Sequence, residues 1–137
     1  MAEDSGTTRH DMKIIRERTR FVAGVTGDPS PFTAQGAFQG IRAAVRFRYG
    51  LDDLEGIRVA IQGVGNVDRY LAKLLHHAGA TLWVTDVSNR RLSRVTDELG
   101  ANSVAPDAIL DQEVDVFAPC GMANSCISAA SCTCPTT

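Results

Sequence analysis

The stretch Arg58-Val59-Ala60-Ile61-Gln62-Gly63-Val64-Gly65-Asn66-Val67 decides the fold. A short apolar run of β-branched character ends in a Gly-x-Gly turn. Val67, Leu71, Leu74, Leu75 and Ala78 then recur at helical spacing. A second apolar run, Leu82-Trp83-Val84, ends in Thr85-Asp86. The order is strand, tight turn, helix, strand, with an acid about 20 residues past the glycines, which is the dinucleotide-binding arrangement. Each part has a chemical reason. Gly63 permits the tight turn, and Gly65 lets the main chain approach a pyrophosphate with no Cβ in the way. The free N–H groups at the helix start attract phosphate charge. Asp86, at the strand end, can accept hydrogen bonds from a ribose diol. One position departs from the pattern: Asp68 fills the third glycine slot, where a small residue lets helix and strand pack closely.

The flanking sequence continues the alternation. Residues 9–22 predict a short charged helix, with Met12, Ile14 and Ile15 as its apolar contacts. Residues 24–31 are rich in Gly, Pro, Asp and Ser and predict a loop. Pro31 stands just before a helical pattern of Ala34, Ala37, Phe38, Ile41 and Val45, which Gly50 stops. Strands are expected at 57–62 and 81–86, with the nucleotide helix at 66–78 between them. Ser88 is placed to cap a helix carrying Leu92, Val95 and Leu99 and ending at Gly100. A short strand at 102–104, a short helix from Pro106 and a strand at 114–118 complete the pattern, which then reaches Pro119-Cys120. The fold class is α/β, a Rossmann-type doubly wound parallel sheet with right-handed crossovers. After Gly121 the pattern dissolves into Ser, Cys, Thr and Ala, so the sheet is expected to be incomplete at the C-terminus.

Composition narrows the function. A length of 137 residues suits one domain with one modest core. A formal net charge of -2 gives no basic excess, so nucleic acid is not an expected partner. No apolar run approaches the roughly 20 residues that span a bilayer, so no membrane association is expected. The opening Met-Ala-Glu-Asp-Ser-Gly has neither a basic nor an apolar leader region, which predicts a cytoplasmic protein. The four cysteines, Cys120, Cys126, Cys132 and Cys134, cluster at one end. Their spacing matches neither a distributed disulfide framework nor a structural zinc site, so no metal is expected.

In chain order, Glu3-Asp4-Ser5-Gly6-Thr7-Thr8, Asp11-Met12, Gly27-Asp28-Pro29-Ser30-Pro31-Phe32-Thr33-Ala34, Gly63-Val64-Gly65-Asn66-Val67, Val84-Thr85-Asp86 and Asp115-Val116-Phe117-Ala118-Pro119-Cys120 form a specific set. Together they resemble the leucine/phenylalanine/valine dehydrogenase branch of the glutamate dehydrogenase superfamily, from Ala2 to about Gly121. The resemblance implies NAD-dependent oxidative deamination of an apolar L-amino acid to a 2-oxo acid and ammonia, in a cleft between a catalytic and a nucleotide domain. It implies a homo-oligomer for the intact family member. Its two essential lysines lie in a glycine-rich region that is not among these residues; the lysines here are Lys13 and Lys73, in other contexts.

By the same resemblance, Asp4 matches a catalytic aspartate that handles protons on the amino group. Ser30 and Thr33 match positions near the nicotinamide and substrate. Gly63, Val64, Gly65, Asn66, Val67, Asp68 and Arg69 match the pyrophosphate turn. Asp86, with Val87 beside it, matches the adenosine-ribose carboxylate, and Ala118, Pro119 and Cys120 the strand end beside the cofactor. The implied layout is the end of a catalytic domain and hinge at 1–32, the NAD-binding domain at 33–121, and an irregular tail at 122–137. The tail resembles nothing in the family, and a truncated or frame-shifted reading frame would explain both ends.

Blander readings stand beside these. Without the family, Asp4 is an exposed acid, Ser30 a turn residue, Thr33 a helix cap and Asp86 a strand-end turn residue. Arg90 and Arg91 read as a solvated helix start or as readers of a 2′-phosphate; Asp86 would repel that phosphate, which favours NAD. His76 and His77 point about 100° apart on one helix and read as surface residues. Cys120 has no paired base within sequence reach and reads as a packed strand-end thiol. The expected function is an NAD-dependent dehydrogenase of a branched-chain amino acid such as leucine. The alternatives are phenylalanine as substrate, or a non-catalytic NAD-binding remnant.

Overall fold

The computed structural model describes residues 7–22 and 27–121. Its elements are helix α1 (Arg9–Arg16), helix α2 (Ser30–Tyr49), strand β1 (Arg58–Gln62), helix α3 (Asn66–His77), strand β2 (Thr81–Thr85), helix α4 (Asn89–Leu99), strand β3 (Asn102–Ser103), a 3₁₀ turn (Ile109–Asp111) and strand β4 (Val116–Pro119). The strands form one parallel sheet in the order β3-β2-β1-β4. This is the expected α/β architecture.

Burial explains why β1 is central. Val59, Ala60, Ile61 and Gln62 are all buried, as expected of a strand covered on both faces. Helix α3 turns Leu71, Ala72 and Leu75 into the core, where they join Val59, Ile61, Val64, Leu82, Val84 and Val95. Helix α2 packs mainly on α3. Gly50 and Gly100 end α2 and α4 in the left-handed conformation, with φ of 72° and 63°.

The topology also fixes where a ligand can sit. From β1 the chain moves to β2 and β3 on one side, then returns to pair β4 on the other side of β1. Strand order therefore reverses between β1 and β4, and the crevice outside their carboxyl ends is where doubly wound sheets bind ligands.

Several local expectations are corrected. The first helix stops at Arg16 rather than running to residue 22, and Thr8 and Asp11 form a capping box at its start. Helix α2 begins at Ser30, so Pro31 lies inside its first turn, where a missing N–H costs nothing. Ala37 is exposed, because α2 buries only Ser30, Ala34 and Val45, with Phe38 and Ile41 partly covered. Ser88 precedes α4 but makes no side-chain cap. The segment after Pro106 forms only the 3₁₀ turn at Ile109–Asp111. Among the described residues no helix is long and apolar enough to cross a membrane. Asp4, Cys126, Cys132, Cys134 and the 122–137 tail lie outside the described residues.

Candidate functional site

Two chain turns lock together at the reversal point. Gly63 has φ of +95°, a backbone conformation that L side chains rarely adopt. Its N–H donates to the Thr85 carbonyl at 2.8 Å, which fixes the turn to the end of β2. A Cβ on Gly63 would lie 2.9 Å from both the Cα and the N of Gly121. On the other side the Cys120 N–H donates to the Gln62 carbonyl at 3.0 Å, and a Cβ on Gly121 would lie 3.2 Å from that oxygen. The turns after β1 and β4 are thus in backbone contact. Gly63 is legible as a turn residue from its neighbours, whereas its partner Gly121 carries no such signal.

The next two N–H groups of the glycine turn are held by carboxylates. Val64 is buried and donates to Asp86 Oδ2 at 2.8 Å. Gly65 precedes α3 and donates to Asp68 Oδ2 at 3.0 Å, a capping contact across the first helical turn. Asp68 is buried, so the slot expected for a small residue takes a carboxylate that folds back on its own turn. Desolvation is the main influence on Asp68 and pushes it above the ordinary carboxylate range, against the Gly65 N–H and the Cys120 thiol, which favour its charge.

Asp86 is more fully engaged. Its side chain is only 4 % exposed. Oδ1 accepts the Ser88 N–H at 2.7 Å and Arg91 Nη2 at 2.8 Å, and Arg91 Nε lies 3.2 Å and 3.3 Å from the two oxygens. Burial alone would raise Asp86; the Arg91 guanidinium and the Val64 and Ser88 N–H groups reverse this and hold it below the usual range. Arg91, readable from sequence as a solvated residue or a phosphate reader, is the partner of the Asp86 carboxylate.

The remaining candidates divide. Val67 packs against the core and Ala118 is buried in β4, while Asn66, Pro119 and Val87 are exposed. Arg69 reaches across from α3 to Glu98 on α4 at 3.2 Å, a carboxylate it shares with Lys73 at 3.1 Å. Ser30 is buried and its N–H donates to Asp28 Oδ1 at 3.0 Å; Thr33 is exposed and its hydroxyl donates to the Pro29 carbonyl at 3.3 Å. These last bonds stay within their own turn and do not reach the glycine turn. His76 and His77 are both exposed on α3.

Cys120 is exposed as a residue, yet its thiol is crowded enough that desolvation, and then the Asp68 carboxylate, push it up to about 12. Such a thiol stays protonated at neutral pH and is a poor nucleophile. Thr85 is the unexpected member of the group. It is buried at the end of β2, and its hydroxyl oxygen has no hydrogen-bond partner among the described residues.

The arrangement can therefore bind rather than cleave: close backbone approach, N–H groups at a helix start and an anchored acid at the neighbouring strand end. The comparisons agree with that geometry. Residues 24–89 match the family model described as Glutamate/Leucine/Phenylalanine/Valine dehydrogenase. The chain is 50% identical over 127 residues to leucine dehydrogenase from Thermoactinomyces intermedius, covering 88% of this chain and 35% of that protein. It is 39% identical over 123 residues to L-tryptophan dehydrogenase from Nostoc punctiforme, with coverage of 88% and 35%. The crystal structure of L-tryptophan dehydrogenase from Nostoc punctiforme superposes with a TM-score of 0.73 at 38% identity, over 88% of this chain and 34% of that one. The chain spans about a third of the length of the curated relatives it matches.

Proposed function

Because the chain belongs to the glutamate/leucine/phenylalanine/valine dehydrogenase family, we propose that it carries the NAD-binding part of a cytoplasmic, homo-oligomeric amino-acid dehydrogenase. The reaction is oxidative deamination of an apolar L-amino acid. Amino acid, NAD⁺ and water give the 2-oxo acid, ammonium, NADH and a proton. Leucine is the first choice of substrate, in line with the leucine dehydrogenase relatives, and phenylalanine the second.

The carrying observation is the interlocked turn at the ends of β1 and β4, with Asp86 anchored at the end of β2. A dinucleotide fits these residues. The Gly63–Gly121 contact leaves no Cβ at the mouth of the turn. The first turn of α3 supplies N–H groups that have no intrahelical partner. Asp86 is already oriented by the Val64 N–H, which holds its carboxylate beside the glycine turn. A nicotinamide held there would supply the hydride acceptor for the substrate Cα–H. This chain's own residues bind and orient: the 63–69 turn holds the pyrophosphate, Asp86 the ribose, and Ala118, Pro119 and Cys120 border the cofactor. In this reading Ser30 and Thr33 serve the nicotinamide and substrate end of the site, and Asp4 handles the amino-group proton.

A second reading, binding without turnover, is favoured by the lysines. Lys73 is paired with Glu98 at 3.1 Å, and Lys13 is exposed on α1. Neither is in a glycine-rich segment where it could hold a substrate carboxylate. Calorimetric titration of NAD into the purified chain tests the nucleotide reading, with saturable binding expected. NADH formation from L-leucine, L-valine and L-phenylalanine separates the two readings. We expect little or none; turnover near an ordinary enzyme's roughly 10 per second would show that these residues suffice for the chemistry.

A further inference from the structure

We propose that Arg91 sets the cofactor selectivity of this chain: by pairing with Asp86 it makes the adenosine-ribose end of the site tolerant of a 2′-phosphate, so that NADP binds as well as NAD. The proposal rests on the nucleotide reading above and deepens it.

An unpaired carboxylate at the end of β2 discriminates in two ways. It accepts hydrogen bonds from ribose hydroxyls, and its charge repels a 2′-phosphate. Arg91 weakens both effects. The pair Asp86–Arg91 has no net charge, so the repulsion is cancelled at its source. The Ser88 N–H and Arg91 Nη2 already occupy Oδ1, and the Val64 N–H occupies one acceptor position on Oδ2. A carboxylate offers about four acceptor positions in all, so few remain for a ribose diol.

The guanidinium is also placed to do more than neutralise. It bonds Asp86 through Nε and Nη2, while the Arg91 side chain as a whole remains 54 % exposed. A planar guanidinium can share its donors between a carboxylate and a phosphate. Arg91 lies in the first turn of α4, immediately after the loop that follows β2, and is held there by the very acid that reads the ribose. Arg90, next to it, is exposed and makes no hydrogen bond or ion pair with Asp86 that would substitute for it.

The test is titration of NAD and NADP into the full chain and into Arg91→Ala, with circular dichroism on each. Arg91→Gln, which keeps most of the side chain without its charge, serves as the second variant. The expected result is that both substitutions weaken NADP relative to NAD by about tenfold, and that Arg91→Lys restores part of the difference. If Arg91 merely props Asp86, NAD affinity falls at least as far as NADP affinity; a selectivity ratio that is unchanged or shifted toward NADP overturns the proposal. If no variant with native circular dichroism binds either dinucleotide, and neither does the parent chain, the nucleotide reading fails and the proposal with it.

Discussion

Gly63 and Gly121 meet backbone to backbone, with room for no Cβ between them: one built on Gly63 would stand 2.9 Å from the Cα and N of Gly121. The contact joins the turn that follows the central strand to the turn that follows the edge strand β4. Gly63→Ala would meet two penalties at once, a positive φ and a clash with main-chain atoms that cannot rotate away. We expect a loss of about 2–4 kcal/mol, read as a lower urea midpoint with an unchanged slope. Dinucleotide binding should weaken in parallel.

Asp68→Ala should strengthen NAD binding. The Asp68 carboxylate holds the Gly65 N–H that a pyrophosphate would use, and it places negative charge at the start of α3. A charge in that field is worth a few tenths to about 1 kcal/mol, so its removal should lower the NAD dissociation constant by about two- to fivefold. Titration at low and moderate salt reads this, and the gain should shrink as salt rises. Equal or weaker binding would mean that the carboxylate swings clear when ligand enters.

Thr85→Val should stabilise the ligand-free chain. The Thr85 hydroxyl is buried without a hydrogen-bond partner among the described residues, and valine has nearly the same shape without the polar atom. Relief of one unmet hydrogen bond is worth about 1 kcal/mol, visible as a higher urea midpoint. A destabilised variant would show that this oxygen has a water or ligand partner.

Asp86 gives the pH dependence a definite sign. Its folded pKa lies below its unfolded value of 3.8, so its stabilising contribution is complete above that value and is lost as pH falls through the folded pKa. Asp68 runs the other way: raised by desolvation, it burdens the folded state when charged, and acid removes the burden. Asp86 should therefore carry part of the acid loss, beside Asp11, Glu98 and Asp115, whose partners also hold them below the usual range. Urea midpoints measured between about pH 4 and pH 2.5 should fall less steeply for Asp86→Asn than for the parent chain. Parallel profiles would assign the acid sensitivity to other carboxylates.

The nucleotide unit was readable because its signals are local. Gly63, Gly65, the Leu71 and Leu75 face and Asp86 each report on neighbours a few residues away, and their spacing alone orders strand, turn, helix and strand. The stops at Gly50 and Gly100 were readable for the same reason. Ala37 was misassigned because helical periodicity gives a face but not its width, and α2 meets little beyond α3. The Ser88 hydroxyl does not cap α4; its N–H bonds Asp86 instead, an outcome set by the turn geometry. Spacing leaves Arg91 open between a solvated helix start and a 2′-phosphate reader, and its pairing with Asp86 depends on the turn geometry that only the fold supplies. Gly121 carried no local signal, since its need for a bare Cα arises from a residue far back in the chain.

The strand order β3-β2-β1-β4 also implies a sequence of assembly. Strands β1 and β2 are joined through one helix, and Val64 and Asp86 that connect their ends are 22 residues apart. Strand β4 closes on β1 only across a much longer span; Arg58 and Asp115, whose side chains pair beside that junction, are 57 residues apart. Loop-closure entropy makes the shorter pairing the earlier one and leaves β4 to dock late. The turn that meets Gly63 arrives with it. By this argument the site is finished late in folding, and a dinucleotide that needs both turns would act as a clasp on the final strand, slowing its release.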